Sequence, residues 1–160
     1  MRKLLPAISI LITILIFSCV KEDEFSIIPE ITYIGQTKIS MNQGAFMEDS
    51  LFVQFSFTDG DGDIGDQDSI NIFLTDTRQD FTTTYRIPEI PDVAVNDAIE
   101  GTVTLLLFTT CCLYTDNSQA PCTPSTSMPM DEVTYTLQIR DRAGNMSNSI
   151  TLQPITLLCN

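Results

Sequence analysis

The chain contains no histidine and no tryptophan, and of its 160 residues only 8 are basic against 21 acidic. Without histidine, Ser-His and Cys-His nucleophile pairs are excluded, as is any imidazole-ligated zinc. Without tryptophan the chain lacks the broadest platform for stacking a sugar ring, so a carboxylate-based glycoside hydrolase is only a remote alternative. The formal net charge of −13 sets the chain against phosphate backbones and anionic membrane surfaces, so no nucleic acid is expected as a partner. Also missing, beyond the first eighteen residues, is any 3.6-residue apolar repeat, which argues against helices. No enzymatic activity is expected.

The longest apolar run, Leu4 to Phe17, is 14 residues, short of the roughly 20 that a membrane-spanning helix needs. It follows the basic Met1-Arg2-Lys3 and precedes the small residue Ser18, the layout of an export signal that is removed. Ile16-Phe17-Ser18-Cys19 resembles the lipobox of bacterial lipoproteins, which implies that Cys19 is lipidated and becomes the first residue of the mature chain. Lys21, Glu22 and Asp23 then resemble the lipoprotein export signal of the Bacteroidota, which implies an outer-membrane location facing the cell exterior. The plainer alternatives are an ordinary secretory signal and a polar tether. This divides the chain into a signal peptide (1–18), a lipidated cysteine with an acidic tether (19–26) and one domain (27–160). Removal of the signal leaves 142 residues with 21 acids and six bases, a net charge of −15.

Asp59-Gly60-Asp61-Gly62-Asp63-Ile64-Gly65-Asp66-Gln67-Asp68 places five carboxylates in ten residues, with no basic residue between Lys38 and Arg78. Glycines between aspartates let the backbone curl and aim several oxygens at one point, an arrangement suited to calcium, which takes six to eight oxygen ligands. Asp59, Asp61 and Asp63 fill the first three positions of an EF-hand loop, but Ile64 stands in place of its glycine and Ile70 in place of its closing glutamate. Any ion therefore needs ligands from elsewhere. The alternative is a solvated acidic loop in which Asp-Gly pairs serve only as turns.

Elsewhere the apolar residues recur with period two, as in half-buried strands. The pattern predicts seven: A (28–40), B (51–57), C (70–75), D (82–87), E (101–109), F (133–140) and G (148–157). In G the parity shifts across Pro154, which suggests a bulge or an edge. Seven short strands between turn-rich segments indicate an all-β fold, an antiparallel β-sandwich. Tyr135 to Ser147, with its D-x-A-G-N-x-S turn, resembles the last hairpin of bacterial immunoglobulin-like surface modules. Asp131-x-Val133-x-Tyr135-x-Leu137 resembles the D-x-A-x-Y-x-C run of immunoglobulin folds, with leucine where the cysteine would be. With the acidic segment, the resemblance covers most of 27–157 and implies a small immunoglobulin-like surface lipoprotein of the Bacteroidota without a known activity.

In that topology the BC, DE and FG loops share one end. BC is the aspartate cluster, FG carries Asp141 and Asn145, and DE carries Asp92, Asn96 and Asp97. The calcium reading accordingly takes Asp59, Asp61, Asp63, Asp66, Asp68, Asp141 and Asn145 as its ligand set, with turn chemistry alone the alternative for the last two. Cys111, Cys112, Cys122 and Cys159 fall at the opposite end. An exported chain meets an oxidising compartment, so two disulfides are expected. Adjacent cysteines pair poorly, so one of Cys111 and Cys112 should bond Cys122 and the other Cys159, with the assignment open. The bonds would hold the Pro- and Ser-rich segment from Tyr114 to Met130, uncommonly long for an unsupported loop. The expected function is a calcium-stabilised binding or accessory module, attached to the membrane through Cys19 and contacting an outer-membrane or extracellular protein. Its alternative is a structural subunit of an outer-membrane assembly.

Overall fold

A computed structural model describes residues 25–90, 97–114 and 119–160. The signal peptide, Cys19, Lys21, Glu22, Asp23, Asp92 and Asn96 lie outside the described residues. Within them the chain is all-β, with no helix.

Ten strands are formed among the described residues: β1 (Glu30–Gln36), β2 (Ser40–Asn42), β3 (Ser50–Asp59), β4 (Ile72–Asp76), β5 (Phe81–Tyr85), β6 (Ile99–Phe108), β7 (Met130–Val133), β8 (Tyr135–Ile139), β9 (Ile150–Thr151) and β10 (Ile155–Leu158). The difference from seven comes from three interruptions. Strand A divides into β1 and β2, F breaks at Thr134 into β7 and β8, and G breaks across Leu152 to Pro154 into β9 and β10. The last break falls where the parity shift was read, at the proline that removes a ladder donor.

One antiparallel sheet has the order β1-β3-β6. A second runs β5-β4-β8-β9, and a third runs β2-β10-β7, made of the first half of F and the second halves of A and G. In the third sheet β2 runs parallel to β10, so the first strand serves one sheet with its first half and another with its second. The inward faces supply one core. Val53, Phe55, Leu74, Leu137, Ile139, Ile155 and Leu157 are inaccessible to solvent. Burying side chains of this size stabilises the fold by about 1.5–3 kcal/mol each relative to exposure.

Both expected disulfides are present, and the structure resolves their pairing as Cys111 with Cys122 and Cys112 with Cys159. Backbone bonds from Ser125 N to the Cys159 carbonyl (3.0 Å) and from Cys159 N to the Pro129 carbonyl (2.9 Å) fasten the long connection against the end of β10. At the same end Arg78 lies between Asp76 and Asp131, at 2.6 Å from each.

Candidate metal centre

Strand parity places the first two carboxylates. Along β3 the inward residues are Leu51, Val53, Phe55 and Phe57, and the next residue of that parity is Asp59, fully buried. Along β8 they are Tyr135, Leu137 and Ile139, and the next is Asp141, only 5% exposed. The two strands belong to different sheets and finish at the same end, so each delivers a carboxylate one step beyond its last apolar residue. Alternation across the pleat thus aims both acids inward between the sheets.

The loop after β3 brings the third. Asp59 Oδ2 accepts the amide N–H groups of Asp63 (2.8 Å) and Ile64 (3.2 Å), which folds the loop back over the end of its own strand. Gly62 makes this possible with φ 67°, a region that side-chain-bearing residues rarely enter. Ile64, the departure from the EF-hand pattern, is 2% exposed and anchors the loop in the core. Asp63 is tied across to the FG loop, its Oδ2 accepting the Ala143 N–H at 2.9 Å and its carbonyl the Arg142 N–H at 3.3 Å.

Asp59, Asp63 and Asp141 each turn one oxygen toward the others, and these oxygens lie within 4.8 Å of one another. That is the span of two calcium–oxygen bonds of about 2.4 Å. Among the described residues, four buried side-chain polar atoms have no hydrogen-bond partner; three are Asp59 Oδ1, Asp61 Oδ1 and Asp63 Oδ1. Buried oxygens left without partners cost about 1–3 kcal/mol each, and more when charged. No ion pair among the described residues reaches them: Lys38 pairs with Asp49 and Arg78 with Asp76 and Asp131, and the charge of Arg142 offsets Asp63 only in part. Burial, reinforced by the charges of Asp61 and Asp63, therefore pushes Asp59 up to about 6. Asp63 is raised as well, by burial and then by Asp141. A hard cation would relieve all of this at once, and a donor set of carboxylate oxygens suits one.

The remaining expected ligands fall elsewhere. After Ile64 the chain turns at Gly65 and bonds to the connection following β5, Asp66 N donating to the Ile87 carbonyl at 3.1 Å. Asp66 Oδ1 accepts the amides of Asp68 (2.8 Å) and Ser69 (3.3 Å), which hold its pKa below the usual carboxylate range. Asp66 and Asp68 thus form a local turn outside the cluster. Asn145 acts as a positioning residue, its backbone and side-chain N–H groups donating to Asp141 at 2.7 and 2.8 Å. Asp97 is exposed and takes no part.

Two residues that sequence reading passed over hold the loops in place. Asn71, 3% exposed, donates to the Ile87 carbonyl and accepts the Ile87 N–H, joining the acidic loop to the connection after β5. Asn148 makes the same reciprocal pair with Ile31, tying the FG loop to β1. Parity could have singled out Asp59 and Asp141, but an asparagine before a strand carries no such signal.

The start of the described chain abuts this centre. Gly60 N donates to the Ser26 carbonyl at 2.8 Å, and the Phe25 carbonyl occupies the place where a Cβ on Gly60 would stand. Only glycine allows this approach.

No protein-family model and no curated protein matches the chain. Among solved structures it is similar to a Niemann-Pick type C2 protein from the Japanese carpenter ant, at 13% identity and a TM-score of 0.46, covering 85% of this chain and 97% of that one. It is also similar to a structural-genomics target, at 13% identity and a TM-score of 0.27, covering 81% and 83%. Likeness at this level carries no inference about activity or ligand.

Proposed function

We propose that the chain is a non-catalytic, lipid-anchored surface module with an immunoglobulin-like sandwich, whose acidic end holds a structural calcium ion and whose disulfide-stapled end meets a protein partner. The observation that carries the ion is the convergence of buried carboxylates with three unpartnered oxygens. Asp59, Asp61, Asp63 and Asp141 hold the ion, and Asn145 orients Asp141. The ion supplies charge compensation and locks the BC loop to the FG loop, so its role is rigidity.

The contact of Ser26 with Gly60 supports an orientation for the anchored molecule. The chain leaves the domain beside the acidic loops, and a tether from Cys19 spans at most about 3.3–3.6 Å per residue. The acidic end therefore faces the membrane. The proposed contact surface is the stapled segment from Cys112 to Met130, whose described residues are held to the far end of β10, away from the acidic loops.

Melting in calcium-free buffer and in millimolar calcium tests the reading. A ligand at about 100 times its dissociation constant adds about 2.7 kcal/mol to the folded state, a shift of several degrees. The chain should show that shift and an Asp61→Asn, Asp63→Asn variant should not. A wild-type melt indifferent to calcium refutes the ion site.

A further inference from the structure

Six strands lie at sheet edges among the described residues, β1 and β6, β2 and β7, and β5 and β9, and they are not equally protected. β1 carries a register shift between Tyr33 and Gly35, β2 and β9 are only three and two residues long, and β7 carries Asp131 and Glu132. Bulges and brevity are among the devices that prevent edge-to-edge pairing, along with lysines and prolines. β5 has none of them. It pairs only with β4 among the described residues, leaving its outer row of N–H and C=O groups open, and Phe81, Thr82, Thr83 and Thr84 are all exposed. β6 also has an open side, but its one charged residue, Glu100, has no basic counterpart in the strand.

The residues of β5 and its flanks read Asp80-Phe81-Thr82-Thr83-Thr84-Tyr85-Arg86. Paired antiparallel with a second copy about Thr83, β5 complements itself along its whole length. Thr83 meets Thr83, Thr82 meets Thr84 and Phe81 meets Tyr85, while Asp80, at φ 54° in the turn before the strand, and Arg86 lie beyond the ladder. Threonine pairs and aromatic pairs are among the cross-strand partners that stabilise antiparallel sheets. Parity agrees with this register. Phe81, Thr83 and Tyr85 line one side of a groove of about 460 Å³ that opens between β5 and β6. Thr82 and Thr84 share the opposite parity and meet each other on the other face.

We propose that β5 is a self-association edge, through which two copies of this chain join their sheets antiparallel about a two-fold axis at Thr83. A continuous sheet then crosses the pair, and the axis brings together two grooves bordered by the exposed Phe81 and Met47. Antiparallel pairing also sets the acidic end of each copy beside the disulfide end of the other, which keeps the two aspartate clusters apart. The two-fold contact is isologous and closes on itself, so it yields dimers and not filaments. This inference stands on the edge alone and is independent of calcium.

Cross-linking of the full chain tests the register. Thr83→Cys should form a covalent dimer under mild oxidation or with a short thiol cross-linker, because position 83 of each copy faces the same position of the other. Thr82→Cys alone should not, whereas a mixture of Thr82→Cys and Thr84→Cys chains should. Sedimentation without cross-linking gives a second measurement. Thr83→Lys should reduce the dimer by about five-fold, because two like charges would then face each other across the axis. No covalent dimer of Thr83→Cys, equal cross-linking of Thr82→Cys alone, capture of a different protein in place of a second copy, or association unchanged in Thr83→Lys would each overturn the proposal.

Discussion

The most exacting test of the centre is the pH dependence of the ion-free chain. Asp59 is fully buried, and burial raises its pKa to about 6 from an ordinary 3.8. Unfolded, the same carboxyl titrates near 3.9. The folded state binds this proton more tightly, so the contribution of Asp59 to stability is fully present below about pH 4 and is lost as the pH rises through about 6. A difference of about two units is worth about 3 kcal/mol at 1.36 kcal/mol per unit. Asp63, raised largely by burial, acts in the same direction. Calcium reverses the sign, because the ion favours the carboxylates and protonation expels it. The assay is the urea midpoint between about pH 4.5 and 7.5, above the range in which Asp49 and Asp66, whose pKa values are lowered, take up protons. In calcium-stripped buffer the midpoint should fall as pH rises; about 2 of those roughly 3 kcal/mol are lost inside this window, so the fall is about 1 M if the urea slope is about 2 kcal/mol per molar. In calcium it should rise with pH. Asp59→Asn keeps an acceptor for the Asp63 and Ile64 amides, so it should largely flatten the ion-free dependence and abolish the calcium response. An ion-free midpoint that is constant or increases with pH would refute the reasoning, since the buried oxygens would then not be uncompensated.

Two further predictions concern the framework. The Cys112–Cys159 bond closes a separation of 47 residues and the Cys111–Cys122 bond one of 11, so chain entropy assigns them about 4 and about 3 kcal/mol. Paired Cys→Ser variants should fall in that order in urea denaturation, and the reverse order would contradict the loop-closure account. Gly60→Val should release Phe25 and Ser26, seen as faster amide exchange from Ser26 to Ile28, at a cost of about 1–3 kcal/mol; unchanged exchange there would show that the close approach does not hold the segment.

Much of the framework was legible because period-two alternation survives in single strands. β3 keeps it across ten residues, and the expected B, C and E lie within two residues of β3, β4 and β6. The divided strands were not legible. β2 joins β10 in parallel through three residue pairs, and nothing in Ser40-Met41-Asn42 distinguishes a new sheet from the end of an old strand. Of the three carboxylates that converge, Asp59 and Asp63 were readable from spacing and Asp141 from topology. Asp66 and Asp68 were drawn in by proximity in sequence, which counts charges but does not register that Ile64 buries itself and sends the chain elsewhere. The disulfide assignment required coordinates, since adjacent cysteines present both options equally.

The arrangement of β1 bears on how the molecule would carry force. The chain reaches β1 past the acidic end and runs away from it, so tension from that side is directed along the strand. The ladder to β3, six residue pairs from Glu30 with Thr58 to Gln36 with Val53, lies across that pull, because antiparallel hydrogen bonds are perpendicular to their strands. The bonds are then strained together in shear and do not unzip one at a time. Ahead of them stand the Ser26–Gly60 bond and, just inside the start of the ladder, the Asn148 clamp on Ile31. A load applied from that side would therefore meet the acidic loop before it reached the sheet, making the aspartate loop the first mechanical fuse of the domain.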